Sequence, residues 1–271
     1  MNENWKSYHG IALFAIVIIT FLAVFWIPPD NILWVWIIML GALSLFSMVA
    51  SHGINGRFLL GWLINEQYRM SLSRLQMFLW TIVILSAFFA AVLANVNAEH
   101  YENAVNIAIP REIWIAMGIS VTSLIGSPLI LSQKKKKKTN KEVLKKTRVS
   151  LHLMKNSDKV NASVLESASG QLQQNKKPED AHLYDLIAGE EVGNFNVIDL
   201  TRLQNLFFTF ILIGTYAINL GSLLVAKANN ISNEAITEFP PIDESFVALL
   251  AISHAGYLIT KAVDKQPDAQ Q

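Results

Sequence analysis

Six apolar runs, each about as long as a helix must be to cross a bilayer, constrain this chain more than any other feature. A hydrocarbon core of roughly 30 Å takes about 20 apolar residues in helical form. Residues 9–27, 32–50, 75–96, 113–132 and 203–225 meet that length. Residues 245–262 are less apolar, but no Asp, Glu, Lys or Arg interrupts Phe246 to Ile259. Only 16% of the residues are charged, against about a quarter in a soluble domain, and the deficit falls in these runs. The expected fold class is therefore all-α, a polytopic transmembrane helical bundle of six spans. The first run reads as a retained helix rather than a signal peptide. It is long for an h-region, no small-x-small site follows it, and Pro28-Pro29-Asp30 turns straight into the second run.

Basic residues set the expected orientation, because Lys and Arg concentrate on the cytoplasmic side. With the N-terminus in the cytoplasm, six crossings return the C-terminus there. That side then carries 20 of the 22 basic residues, and only Arg111 and Lys227 fall outside. The opposite face is acidic, with eight carboxylates, which is weak support for a cation preference because the basic bias alone produces it. A multi-pass protein of the bacterial inner membrane, with both termini cytoplasmic, is the expected location.

An internal repeat organises the rest. Ser-Leu-Ser-Arg-Leu-Gln at 71–76 returns 128 positions later as Asp-Leu-Thr-Arg-Leu-Gln at 199–204, each opening an apolar run. Gly118-Ile119-Ser120 is echoed by Ala251-Ile252-Ser253. Both two-helix units start and end on the same side, so the repeat is parallel, related by an axis along the membrane normal. The expected organisation is two N-terminal spans (1–52), a first repeat unit (53–132), a Lys-rich cytoplasmic insertion (133–198) and a second unit with the C-terminal tail (199–271).

Within the repeat, Ser71 and Asp199 are candidate N-caps. Arg74 and Arg202 follow at headgroup level, where a guanidinium snorkels to lipid phosphate or binds a partner loop. Gln76 and Gln204 lie deeper and should each face another helix, since an unpaired amide in hydrocarbon is costly. Trp80 and Phe208, then Thr81 and Thr209, read as core. The small residues Gly118, Thr122 and Gly126, and Ala251 and Ala255, form stripes suited to close helix packing. The hydroxyls of Ser120, Thr122, Ser123, Ser127 and Ser253 are equally suited to lining a hydrated path. His254 is the one ionisable side chain inside a span and its repeat counterpart is Val121, so it is a functional candidate.

The insertion offers further candidates. Lys134, Lys135, Lys136, Lys137 and Lys138 read as a clamp on anionic lipid headgroups, about 1 kcal/mol per charge. Nucleic acid is a weaker partner, because no aromatic platform is interleaved. Val143, Leu144, Thr147, Leu151 and Met154 form one amphipathic stripe, and Val160, Val164, Leu165, Ala168 and Leu172 a second. Pro178 to Gly189 reads as a third helix, with a hinge near Gly170–Lys177. In Gly189-Glu190-Glu191-Val192-Gly193-Asn194, Glu190, Glu191 and Asn194 would hold either a cation or a facing Arg74 or Arg202. The oxygen spacing of an EF-hand is absent, which favours the arginine.

The strings SLSRLQMFLWT, IAIPREIWIAMGIS, GSPLI, GEEVGN, DLTRLQNLFFT and LLAISHAGYLITKA resemble those of a group of bacterial multi-pass inner-membrane proteins. The resemblance runs from about Ser71 onward and implies an inner-membrane protein with a tandem unit. It brings no activity, cofactor or site with it.

Cysteine is absent, which excludes disulfides, thiolate metal sites and cysteine nucleophiles. The six His stand in no metal-ligand spacing, no P-loop or Ser/His/Asp arrangement is legible, and neither cofactor nor enzymatic activity is expected. Two functions compete. One is an oligomeric ion channel, probed by His254, Ser120, Thr122, Ser253, Gln76 and Gln204. The other is a non-conducting membrane sensor or scaffold that binds partners or anionic lipid through its basic insertion.

Overall fold

A computed structural model describes residues 5–28, 31–154, 168–229 and 234–265. In membrane-length apolar sequence the backbone must satisfy its own polar groups, and a helix does so within one segment. Among the described residues there are seven α-helices: α1 (Ser7–Phe25), α2 (Ile32–Asn55), α3 (Leu72–Asn97), α4 (Arg111–Lys136), α5 (Lys141–Met154), α6 (Leu200–Ala228) and α7 (Glu244–Ala262). All but α5 are long and apolar enough to span a membrane. Among the described residues the remaining backbone pairing is limited to isolated bridges. The fold class is the expected one, with six candidate spans close to the apolar runs.

The repeat is visible in the element starts, since α3 and α6 begin at the equivalent Leu72 and Leu200. Asp199 caps α6 as its sequence implied. Its Oδ1 accepts from the backbone N–H of Thr201 at 3.0 Å and of Arg202 at 3.3 Å, satisfying donors that a helix start leaves open.

The chain divides into two compact units. One comprises the residues up to Trp62, Gln76–Gly118 and Thr209–Leu250. Its core holds Ile32, Trp80, Ile113, Tyr216, Leu220 and Phe239, all buried. Buried polar groups there are paired across elements. Trp36 Nε1 donates to Ser86 Oγ at 2.9 Å, and His9 Nε2 lies 3.0 Å from His52 Nδ1, tying α1 to α2. Asn95 clips a loop. Its Nδ2 donates to the Ile236 carbonyl at 2.8 Å, and its Oδ1 accepts the Ile236 N–H at 2.7 Å.

The other unit comprises Leu63–Leu75, Ile119–Phe208 and the chain from Ala251 onward. It contains α5, in which Thr147 is buried and Val143 and Leu144 are half-buried while Lys141, Lys145 and Lys146 are exposed. The rest of the insertion departs from expectation. Residues 155–167, with Val160, Val164 and Leu165, lie outside the described residues. Ala168 to Leu172 is bridge and turn, not helix. Pro178 to Gly189 is two short 3₁₀ turns, Pro178–Asp180 and Leu183–Leu186, rather than one α-helix. The interruption has a physical cause. The Asp185 carboxylate accepts the N–H groups of His182 at 3.0 Å and Met70 at 3.3 Å. A side chain engaged with local backbone donors offers the chain an alternative to helix propagation.

The segment read as a hinge is instead a stitch. Gln171 N–H donates to the Lys134 carbonyl at 3.2 Å, Gln173 N–H to the Glu190 carbonyl at 2.9 Å, and Val192 N–H to the Gln171 carbonyl at 3.0 Å. Gly170 makes this possible. Its φ is +59°, and a Cβ there would stand 2.2 Å from the Lys135 carbonyl oxygen, so only glycine fits.

Candidate functional site

The site lies within the second unit and is built on α4, α7 and the start of α6, the loop 188–198 and the short run before α3. Along α4, from the unit's edge onward, the buried positions are Ser120, Ser123, Ser127, Leu131 and Lys134. This spacing of three and four keeps one face of a 3.6-residue helix turned inward. On α7 the corresponding buried residues are Ser253, His254, Tyr257 and Lys261. Polar side chains meet across the two faces. Ser123 Oγ and His254 Nδ1 share a hydrogen bond at 2.5 Å. Lys261 Nζ donates to Ser127 Oγ, and to Tyr257 Oη at 3.0 Å.

Beyond these pairs the loop docks. Ala188 and Ile198 bridge antiparallel, which closes the loop on itself. Asn194 Oδ1 accepts the Glu191 N–H at 3.0 Å. A Cβ on Gly189 would meet the Asn194 side chain at 2.3 Å, so glycine permits the close approach. The tight turn projects Glu190 and Glu191 toward the helix ends. Glu190 Oε2 lies 2.7 Å from Lys261 Nζ, and its Oε1 lies 3.0 Å from Arg202 Nη1. Glu191 Oε1 accepts from Lys134 Nζ at 2.5 Å, and the Lys265 N–H donates to Glu191 Oε2 at 3.1 Å. Lys134 Nζ donates also to the Val263 carbonyl at 2.8 Å.

Arg202 supports the same loop from its base. Its Nε donates to the Leu186 carbonyl at 3.1 Å and its Nη2 to the Asp185 carbonyl at 2.8 Å. Asp185 in turn pairs with Arg69 Nε at 3.0 Å, while Arg69 Nη1 donates to the Gly189 carbonyl at 2.7 Å. Arg69, Lys134, Arg202, Lys261, Asp185 and Glu191 are all buried. Burial alone would push the Glu190 carboxyl up, but Lys261 and Arg202 beside it prevail and hold it at about 2. Glu190 is therefore ionised at neutral pH. Lys134, Glu190, Glu191, Arg202, Tyr257 and Lys261 line a small, partly open cavity of about 20 Å³.

The expected site residues sort as follows. Glu190, Glu191 and Asn194 build a loop that docks on Arg202, the arginine reading of that motif. Arg202 is only 2% exposed and Lys134 only 4%. Neither faces lipid headgroups, because both are consumed by loop carboxylates and carbonyls. Lys135, Lys136, Lys137 and Lys138 are exposed, and Lys137 pairs with Asp264. Arg74 is half-buried.

In the first unit, Gln76 is buried and its Nε2 donates to Thr209 Oγ1 at 2.7 Å, joining α3 to α6. Gln204 is exposed, and the buried amide of the second copy is its neighbour Asn205. One position of shift turns a helical side chain by about 100°, enough to exchange the buried and outer faces. Ser120 and Ser253 are buried, whereas Thr122 is exposed with Gly118 on another face of α4. Of that stripe, Gly126 approaches α7, where a Cβ would stand 3.6 Å from the Leu258 side chain, whereas Gly118 and Thr122 are exposed.

Sequence reading missed Arg69, Asp185 and Lys261, and it missed the Ser123–His254 pairing. Arg69 and Lys261 look like any basic residue at a span end, and their partners lie 116 and 71 positions away. Among the described residues no group of three or more His, Cys, Asp or Glu is placed to hold a metal ion. No protein-family model, no curated protein and no solved structure matches the chain.

Proposed function

We propose that this integral membrane protein is a non-enzymatic, non-conducting sensor or scaffold, with its Lys-rich segment held on the cytoplasmic side as a docking platform. The observation that carries this reading is the buried ion cluster. Two loop carboxylates are gripped by cations from the ends of α4, α6 and α7, which fixes the 188–198 loop to the helix ends. Buried pairs of this kind add little net stability over apolar packing but specify one arrangement. The clustered lysines Lys135, Lys136, Lys138, Lys141, Lys145 and Lys146 remain exposed, which suits an acidic partner or anionic headgroups at about 1 kcal/mol per charge near the surface.

A channel between copies of the chain is the second reading, favoured by the exposed Thr122 and Gly118 on α4. The hydroxyls best suited to a path inside one chain, Ser123 and Ser127, are bonded to His254 and Lys261 instead. Reconstitution separates the two. Electrically silent proteoliposomes, with binding to vesicles that rises with their anionic lipid content and falls with salt, are expected. Ion flux or single-channel steps would reject the platform in favour of the channel.

A further inference from the structure

Leu183, Tyr184, Val197 and Ile198 are each more than half exposed, although none of them belongs to a span. Large apolar side chains grouped on a surface mark an interaction site. Backbone contacts hold these four as one edge. The N–H groups of Ile187 and Ala188 donate to the Tyr184 carbonyl at 3.0 and 2.9 Å, and Ala188 bridges Ile198 antiparallel.

The depth of that edge is fixed, because the turn Leu183–Leu186 is tied to the starts of two spans. On one side Arg202, the third residue of α6, donates to the carbonyls of Asp185 and Leu186. The N–H of Asp199, just ahead of α6, donates to the Ile187 carbonyl at 2.8 Å. On the other side the Asp185 carboxylate takes Arg69 Nε and the N–H of Met70, immediately before α3.

At roughly 1.5 Å per residue, the 29 residues of α6 run about 43 Å. That is the thickness of a bilayer with both its headgroup layers, so a helix of this length starts among the headgroups. A turn bonded beside its first residues stands at the same level. Leu200 and Phe207, two helical turns apart and both exposed, continue the apolar edge down the outside of α6.

We infer that Leu183, Tyr184, Val197 and Ile198 form an interfacial anchor, seated at the headgroup–acyl boundary of the leaflet where α3 and α6 begin. Lipid is the occupant because the edge shares the depth of the span starts and runs unbroken into the outer face of α6. Tyr184 suits that level, with an apolar ring for the acyl side and a hydroxyl for the headgroups. The anchor requires neither the exposed lysines nor a protein partner, so it stands whether or not the platform reading does.

Site-directed spin labelling tests it, since the chain has no cysteine of its own. Full-length Leu183→Cys and Val197→Cys, each carrying one nitroxide, are reconstituted in phosphatidylcholine vesicles. Collisions with oxygen, which concentrates in lipid, are compared with collisions with a water-soluble nickel chelate. Phe207→Cys serves as the lipid reference and free nitroxide in buffer as the water reference. The oxygen-to-nickel ratio at 183 and 197 should exceed the water reference several-fold and approach that at 207.

A ratio at both positions equal to that of the free label would overturn the anchor and leave the edge in water. Labels screened from both reagents would overturn it too, by placing a protein surface over the edge. Should either variant fail to fold, Tyr184→Cys and Ile198→Cys read the same edge with the same two outcomes.

Discussion

Glu190 concentrates the electrostatics of the loop in one side chain. Its carboxyl is brought from the ordinary 4.5 to about 2 by Lys261 and Arg202 against the opposing pull of burial. Between those two pH values the unfolded chain binds more protons than the folded one. The stabilising contribution is therefore full above pH 4.5 and disappears as pH falls toward 2. Glu190→Gln should destabilise the fold by about 3–5 kcal/mol at neutral pH, the usual effect of stripping one partner from a buried pair. It should also flatten the acid limb of stability against pH, read by denaturant unfolding in micelles. An acid limb identical in the two proteins would show that Glu190 is not the titrating group.

Composition around this residue was legible: two glycines, two carboxylates and an Asn announce a tight acidic turn. The choice of Arg202 over Arg74 was not, because both follow the same Ser/Asp-Leu-Ser/Thr pattern. Only the fold says which guanidinium faces the loop.

Between elements, the seam of α4 and α7 shows why helical spans were easy to find and their faces hard. Length and apolarity suffice for existence, since within a single segment only a helix satisfies its own backbone in hydrocarbon. Which face packs depends on polar demand. A buried hydroxyl or imidazole requires a partner, so Ser123 and Ser127 turn toward His254 and Lys261, while Gly118 and Thr122 do not. The pairing spans 131 positions, beyond what local periodicity can report.

The Ser123–His254 bond is expected to couple the two helices. In a double-mutant cycle with Ser123→Ala and His254→Ala, the interaction should measure about 0.5–2 kcal/mol, the range for hydrogen bonds between membrane helices. Strict additivity would mean that the two side chains are packed together without a stabilising bond. The Gly170–Gln173 stitch carries the same lesson. Polar, glycine-containing sequence reads as loose until its backbone donors are traced to Lys134 and Glu190.

For the molecule as a whole, the expected orientation rests on the uneven placement of Lys and Arg along the sequence, to which translocation responds regardless of fold. The ion cluster strengthens its meaning. Lys134 and Arg202 count toward the basic side, yet they face the loop and not the lipid. Exposed positive charge clusters in Lys135–Lys138 and in Lys141, Lys145 and Lys146 of α5.

The absence of cysteine makes the topology directly testable, since any introduced thiol is the chain's sole one. Glu102→Cys and Lys141→Cys both stand at exposed positions, in connections between spans that six spans with cytoplasmic termini place on opposite sides. A membrane-impermeant maleimide should label Glu102→Cys in intact bacterial spheroplasts and Lys141→Cys only in inverted vesicles. Labelling of both from one side would remove a span from the count, and a full reversal would invert the chain. Labelling of Lys141→Cys in intact spheroplasts, in either pattern, would take the proposed basic platform off the cytoplasmic side, whatever the geometry of the loop that holds it.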